Sequence, residues 1–349
     1  MFLHELFLRA LTYLPPMRSR LEIQIGHFAP ILEPAFQENR YAQLLTLFCL
    51  DSIDCGRLRA AQKLLNRLEP IAFAGSDAEK ALWCVLAGYY LDHCDQRGSA
   101  VSAYEEASGH GHQFPLPHLV TAEFHLLNTK LYDLALENYN KAINILYHNL
   151  PLNEEKQHLI AMAQAGLSIT LAMMHRTDDA TAALAKADLA SDSEEYLHAT
   201  ALLSAINGNQ EGAEEALAAF RKISPQLAEH VAGHVRMILD RTHIHFFPRP
   251  VNPGLPEAFW TWFRSKETAF QPLLDKGDAD ACGTMLAEHI NTLVPDEEDQ
   301  MYASVELQDG KPEMILTACY SRSYAAMMEA LAAACPEDIC RRWIITLRP

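Results

Sequence analysis

The chain has 349 residues, 49% of them apolar and 21% charged, with 45 acidic groups against 28 basic and a formal charge of −17. That suits two or three globular domains, or one long repeat array, at roughly 100–200 residues per domain. A surface this acidic repels phosphate backbones and anionic lipid, which argues against nucleic-acid and membrane-surface roles. Residues 1–75 carry 8 basic and 7 acidic groups, so a charge of −18 falls on the remainder.

From the N-terminus, Met1–Leu6 has no positive region and carries Glu5 inside its apolar stretch, so no secretory signal is expected. The apolar run near Leu44–Leu50 is far short of the roughly 20 residues that span a bilayer. None of the eight cysteines forms C-x-x-C, and scattered cysteines of this kind point to reduced thiols and a cytoplasmic setting. An apolar helix over Leu44–Leu50 precedes Ala60-x-x-x-Leu64. A second begins at Leu82 with Trp83, Leu86, Gly88 and Leu91, turns at Asp95–Gly98 and resumes as Ala100-x-x-x-Tyr104-x-x-Ala107. The pattern returns as Ala135-x-x-x-Tyr139-x-x-Ala142, Ala180-x-x-x-Leu184-x-x-Ala187 and Ala213-x-x-x-Leu217-x-x-Phe220, the leading alanines being 40, 35, 45 and 33 residues apart. Polar turns at Asn128–Lys130, Arg176–Asp178 and Asn207–Asn209 separate the helices. A small residue heading a second helix lets the first approach closely, and each pair is left with an apolar stripe that only a neighbouring pair covers.

At these residues the chain resembles the tetratricopeptide repeat family. Gly88 with Ala100, Tyr104 and Ala107 matches that motif best, and Ala135, Tyr139 and Ala142 match its second helix. The likeness covers about residues 41–225, with 1–40 and 226–241 as capping helices. Later units replace the first-helix glycine by Glu123, Ser168 and Ala201. The resemblance implies a mainly α fold, an α-α superhelix of stacked helix hairpins over residues 1–245.

Residues 246–254 hold three prolines and read as a linker. Residues 255–349 then read as a small α+β domain. Helices are expected from Leu255 and over Ala279–Leu293. Strand alternation over Met301–Leu307 leads to an Asp309-Gly310 turn and a return strand at Pro312–Cys319. A helix over Ser323–Ala334 and a last strand over Ile339–Leu347 complete the order α-α-β-β-α-β.

No catalytic set assembles along the chain. His230 and His234 share a helical face but lack the glutamate of zinc proteases. The pairs His110/His112 and His243/His245 lack further ligands at short spacing, so no metal and no cofactor are expected. Cys319 with His289 reads as buried cysteine, and Asp296–Asp299 as a solvated acidic loop. There is no G-x-S-x-G, Walker or G-x-G-x-x-G motif.

The repeat register instead implies a concave groove presenting Leu82, Val85, Tyr89 and Asp92, then Val120, Phe124 and Leu127, then Ile169 and His198. Family members that grip a peptide's terminal carboxylate use Lys and Arg there, which the matching positions lack. The leading expectation is therefore a non-enzymatic adaptor that binds a protein or peptide segment in this groove. The alternative is an enzyme or small-ligand binder with a site expected at the seam between the solenoid and the C-terminal domain, near His243, His245, Trp260 and Trp262, since domain seams are common pocket locations.

Overall fold

A computed structural model describes residues 40–110, 114–149, 154–293, 302–308, 310–318 and 320–348. These residues are mainly helical, with one small three-stranded sheet near the C-terminus. They form two compact units that part between Val231 and Ala232. No helix among them is long and apolar enough to cross a membrane. His112, Cys319 and Asp296–Asp299 lie outside the described residues.

The first unit contains α1 (Arg40–Asp54), α2 (Leu58–Ala74), α3 (Asp77–His93), α4 (Arg97–His110) and α5 (Pro115–Phe124). It continues with α6 (Tyr132–Asn149), α7 (Glu154–Met173), α8 (Thr177–Leu184), α9 (Glu194–Ile206) and α10 (Gln210–Ile223), and runs into α11 (Pro225–Leu239). Helices pack in consecutive pairs: α1 on α2, α3 on α4, α5 on α6, α7 on α8 and α9 on α10. Ser76 caps α3 in a reciprocal capping box with Glu79, while Ser193 and Asn209 cap α9 and α10.

A single offset recurs where each pair closes. The Cys49 thiol donates to the Ala61 carbonyl at 3.7 Å, and the Ser168 hydroxyl donates to the Ala180 carbonyl at 2.8 Å, each partner lying 12 residues further on. The same offset separates Gly88 from Ala100, Glu123 from Ala135 and Ala201 from Ala213, all buried. Four of these first-helix slots hold a small residue, because the helices approach closely there. Gly88 shows how closely: a Cβ on it would meet the Tyr104 ring at 2.5 Å. The fifth slot holds Glu123.

The first of these registers differs from the sequence expectation. Ala61, Leu65 and Leu68 are buried, whereas Ala60 is exposed and Leu64 only half-buried. Two adjoining apolar doublets, Ala60-Ala61 and Leu64-Leu65, let periodicity fit either register, and the Cys49 contact selects the second.

The second unit centres on α12 (Leu255–Leu274) and α13 (Ala279–Leu293), β1 (Tyr302–Gln308) and β2 (Lys311–Thr317), α14 (Arg322–Ala333), α15 (Glu337–Arg342) and β3 (Ile344–Arg348). β1 pairs antiparallel with β2, Gln308 opposite Lys311, and β3 joins the other edge of β2 in parallel, Met314 opposite Ile345. A parallel pair needs a long crossover, which α14 and α15 supply. In the central strand Met314, Ile315 and Leu316 are all fully buried, so β2 is covered on both faces. α13 lies so close to β1 that a Cβ on Gly283 would meet the Ala303 carbonyl at 3.0 Å. Phe259, Trp260, Phe263, Phe270 and Trp343 form the aromatic core.

Ile339 falls in α15, so a helix begins where the sequence reading expects the last strand. Glu337 and Asp338 open that helix and Arg341 and Arg342 close it, charges that match the helix dipole at both ends. The Pro-rich stretch is tied along the first turn of α14. Ser321 Oγ donates to the Ile244 carbonyl at 3.0 Å, Ser323 Oγ to the Phe247 carbonyl at 3.1 Å, and the Arg249 amide to Ser323 Oγ at 2.9 Å.

Candidate functional site

The displaced small residue locates a cavity. Glu123 is 4% exposed, and its Oε2 has no hydrogen-bond partner among the described residues. It lines a small pocket in the first unit that is open to solvent. Glu194, Glu195 and His198 enter from α9, Gly166 and Ile169 from α7, and Tyr139 from α6. Gly166 takes the Tyr139 phenol directly against its backbone. After Phe124, α5 loosens into a π-helical turn, His125–Thr129, which ends at Lys130 with φ 55°. Leu126 and Leu127 reach the cavity from that turn, and Leu227 of α11 completes the apolar wall.

The electrostatics are one-sided. No Lys or Arg is among the residues lining the cavity. Burial, and then the charges of Glu195, Glu194 and Asp92, holds the Glu123 carboxyl well above the usual carboxylate range. Burial likewise raises the Tyr139 phenol, with Glu123 and Glu195 adding to it. The buried Tyr104 phenol is raised for the same first reason, and then by Asp92 and Glu123. Glu194 and Glu195 stand in the first turn of α9, where the helix dipole favours negative charge. Such an arrangement gathers carboxylates with no Lys or Arg among its lining residues. Its chemistry suits a cationic group entering from outside, with Leu126, Leu127, Ile169 and Leu227 to receive an aliphatic stem.

Most side chains of the expected groove take part in helix packing. Leu82, Val85, Tyr89, Val120 and Phe124 are buried, and Tyr104 and Phe124 are in tilted ring contact at 5.3 Å. Asp92 is half-buried on α3. Leu127, Ile169 and His198 come together at the cavity, and His198 also stacks on Phe220. Glu123 stands out in the sequence only as a departure from the small-residue pattern, and nothing there marks Glu194 and Glu195.

The other expected residues lie in the second unit. His243 and His245 are buried with their rings 5.4 Å apart, and the His245 amide donates to His243 Nδ1 at 3.3 Å. Trp260 donates its indole N–H to the Leu331 carbonyl at 2.9 Å within the aromatic core. Trp262 stacks on His289 with centroids 3.9 Å apart, and burial lowers the His289 pKa.

The structure also gathers a trio that no sequence spacing marks. Cys84 of α3 and Glu106 and His110 of α4 place one donor atom each within 4.8 Å of one another. Burial, and then the charge of Glu106, pushes the Cys84 thiol up to about 12.

No protein-family model matches the chain, and no curated protein is found to be similar to it.

Proposed function

We propose that the first unit is a tetratricopeptide-like array of helix hairpins acting as a non-enzymatic platform in the cytoplasm. It holds a segment of a partner protein by inserting that segment's Lys or Arg side chain into the cavity of Glu123, Glu194 and Glu195. The observation that carries this reading is the Glu123 carboxylate, buried in a slot that neighbouring helix pairs fill with Cys, Gly, Ser or Ala, its Oε2 without a partner among the described residues. Burying a carboxylate unpaired is costly, and a cation at the same place offsets that cost. The recurring 12-residue offset supports the hairpin array, because stacked pairs of one design leave a continuous inner surface.

The test is selection of phage-displayed random peptides on the full chain. Enriched peptides should carry a Lys or Arg and bind the Glu123→Gln/Glu195→Gln variant at least tenfold more weakly, with affinity falling as salt rises. Peptides lacking basic residues, equal binding to the double variant, or no enrichment at all would contradict the proposal.

A further inference from the structure

The geometry points to a divalent-metal site, of the kind that takes zinc, formed by Cys84, Glu106 and His110. This site is independent of the acidic cavity. Glu106 and His110 are four residues apart on α4 and so share one helical face, with Glu106 Oε1 3.6 Å from His110 Nε2. Cys84 reaches them from the partner helix of the same pair, and all three donor atoms fall within 4.8 Å. Zinc bonds of about 2.0–2.3 Å set tetrahedral donors roughly 3.4–3.6 Å apart, so the carboxylate–imidazole pair already stands at the required spacing. Bringing the sulfur to the same spacing takes a closure of up to about 1.4 Å, shared by the partly exposed Glu106 and His110 side chains.

Burial grades across the trio. Cys84 is 1% exposed and forms the floor, while the His110 side chain is 31% exposed and lies at the rim beside Glu106. An ion approaching from solvent therefore meets carboxylate and imidazole first and the sulfur last. The His110 ring is braced by Phe73, edge-on with centroids 6.1 Å apart, and Phe73 in turn contacts Trp83 at 5.3 Å. One sulfur, one imidazole nitrogen and one carboxylate oxygen form a borderline-soft set that favours zinc or cobalt over magnesium or calcium. On binding, the thiol S–H gives its proton to solvent and the thiolate pair forms the bond to the metal. Three protein donors leave a fourth position for water, the arrangement of an open zinc site. Bound there, the ion ties α3 to α4.

The full chain, kept reduced, is titrated with zinc against a chromogenic chelator, and with cobalt while its absorption and tryptophan fluorescence are followed. One equivalent of zinc should bind, and His110→Ala and Cys84→Ala should each weaken it at least tenfold. Cobalt should give a thiolate charge-transfer band and quench Trp83, and both signals should vanish in either variant. His110 is partly exposed, so His110→Ala keeps the test intact if Cys84→Ala perturbs folding. Cys335→Ala/Cys340→Ala, which removes the neighbouring thiols of the second unit, should leave zinc binding unchanged. Absence of binding in the native chain, binding unaffected by both ligand variants, or loss only in the Cys335/Cys340 variant would overturn the assignment.

Discussion

Gly166 on α7 and Tyr139 on α6 pack so tightly that a Cβ added to the glycine would stand 2.4 Å from the phenol oxygen. Glycine within a helix ordinarily costs about 0.5–1 kcal/mol relative to alanine, so its presence there needs a reason, and this contact supplies it. Gly166→Ala is therefore expected to destabilise the chain by about 1–3 kcal/mol, the usual cost of overpacking. Gly233→Ala should have the opposite sign, a gain of about 0.5–1 kcal/mol, because nothing lies within 4 Å of the added Cβ on α11. Urea unfolding of the two variants beside the native chain measures both.

The Glu123 carboxyl makes stability depend on pH in a definite direction. A carboxyl whose pKa rises on folding contributes most below its unfolded value, near 4.3, and that contribution is lost as pH climbs from there through the folded value. Burial, then Glu195, raises Glu123, so the native chain should lose stability from this group between mildly acid and neutral pH. Glu123→Gln removes the titration. It should be more stable than the native chain at neutral pH, with the difference shrinking on acidification to about pH 4. Unfolding free energies collected across that range check it, and a variant less stable at every pH would speak against a strained carboxylate.

How much of this was legible in the sequence varies from element to element. Ala279–Leu293 is helical over the expected residues, and the alternation of Ala303 and Val305 with Ser304 and Glu306 marks β1, because one face of that strand is buried. Ile339 misled because Ile339, Trp343, Ile345 and Leu347 fall on alternate positions. The acidic opening and basic close of α15 carried the helical signal. The cavity was not legible because Glu123, Glu194 and Glu195 come from two helices whose meeting depends on tertiary packing, and the π-helical turn that brings in Leu126 and Leu127 has no sequence signature. The trio of Cys84, Glu106 and His110 was hidden similarly, its sulfur and its other two donors lying on different helices.

The 12-residue offset makes Ser168 a test of the helix-pair packing. Its hydroxyl is fully buried and bonds the Ala180 carbonyl at 2.8 Å. Ser168→Ala removes one hydrogen bond but keeps the volume small, a loss of about 0.5–1.5 kcal/mol. Ser168→Leu forces the helices apart and should lower the thermal midpoint further, by an overpacking cost of about 1–3 kcal/mol or more. Equal tolerance of the two substitutions would mean that α7 and α8 do not meet closely at this residue.

In the second unit burial outweighs charge. Phe263 is fully buried and contacts Phe259, Trp260, Phe270 and Trp343. Phe263→Ala should cost about 3–5 kcal/mol. Glu267 accepts two bonds from Arg342, at 2.7 and 2.9 Å, and one from the Trp343 indole at 3.2 Å. Water reaches this group, so Glu267→Gln should cost no more than about 1 kcal/mol. Urea denaturation followed by tryptophan fluorescence separates the two, since Trp260, Trp262 and Trp343 all belong to this unit.

Calorimetric titration with one basic peptide and its twin, in which norleucine replaces the lysine, puts the cavity's role to the sharpest trial. The two peptides share an aliphatic stem and differ in the ammonium alone. The native chain should bind the lysine peptide at least tenfold more tightly, about 1.4 kcal/mol, and Glu123→Gln/Glu195→Gln should abolish that preference. Equal affinity of the native chain for both peptides, or a preference that survives in the double variant, would contradict the account.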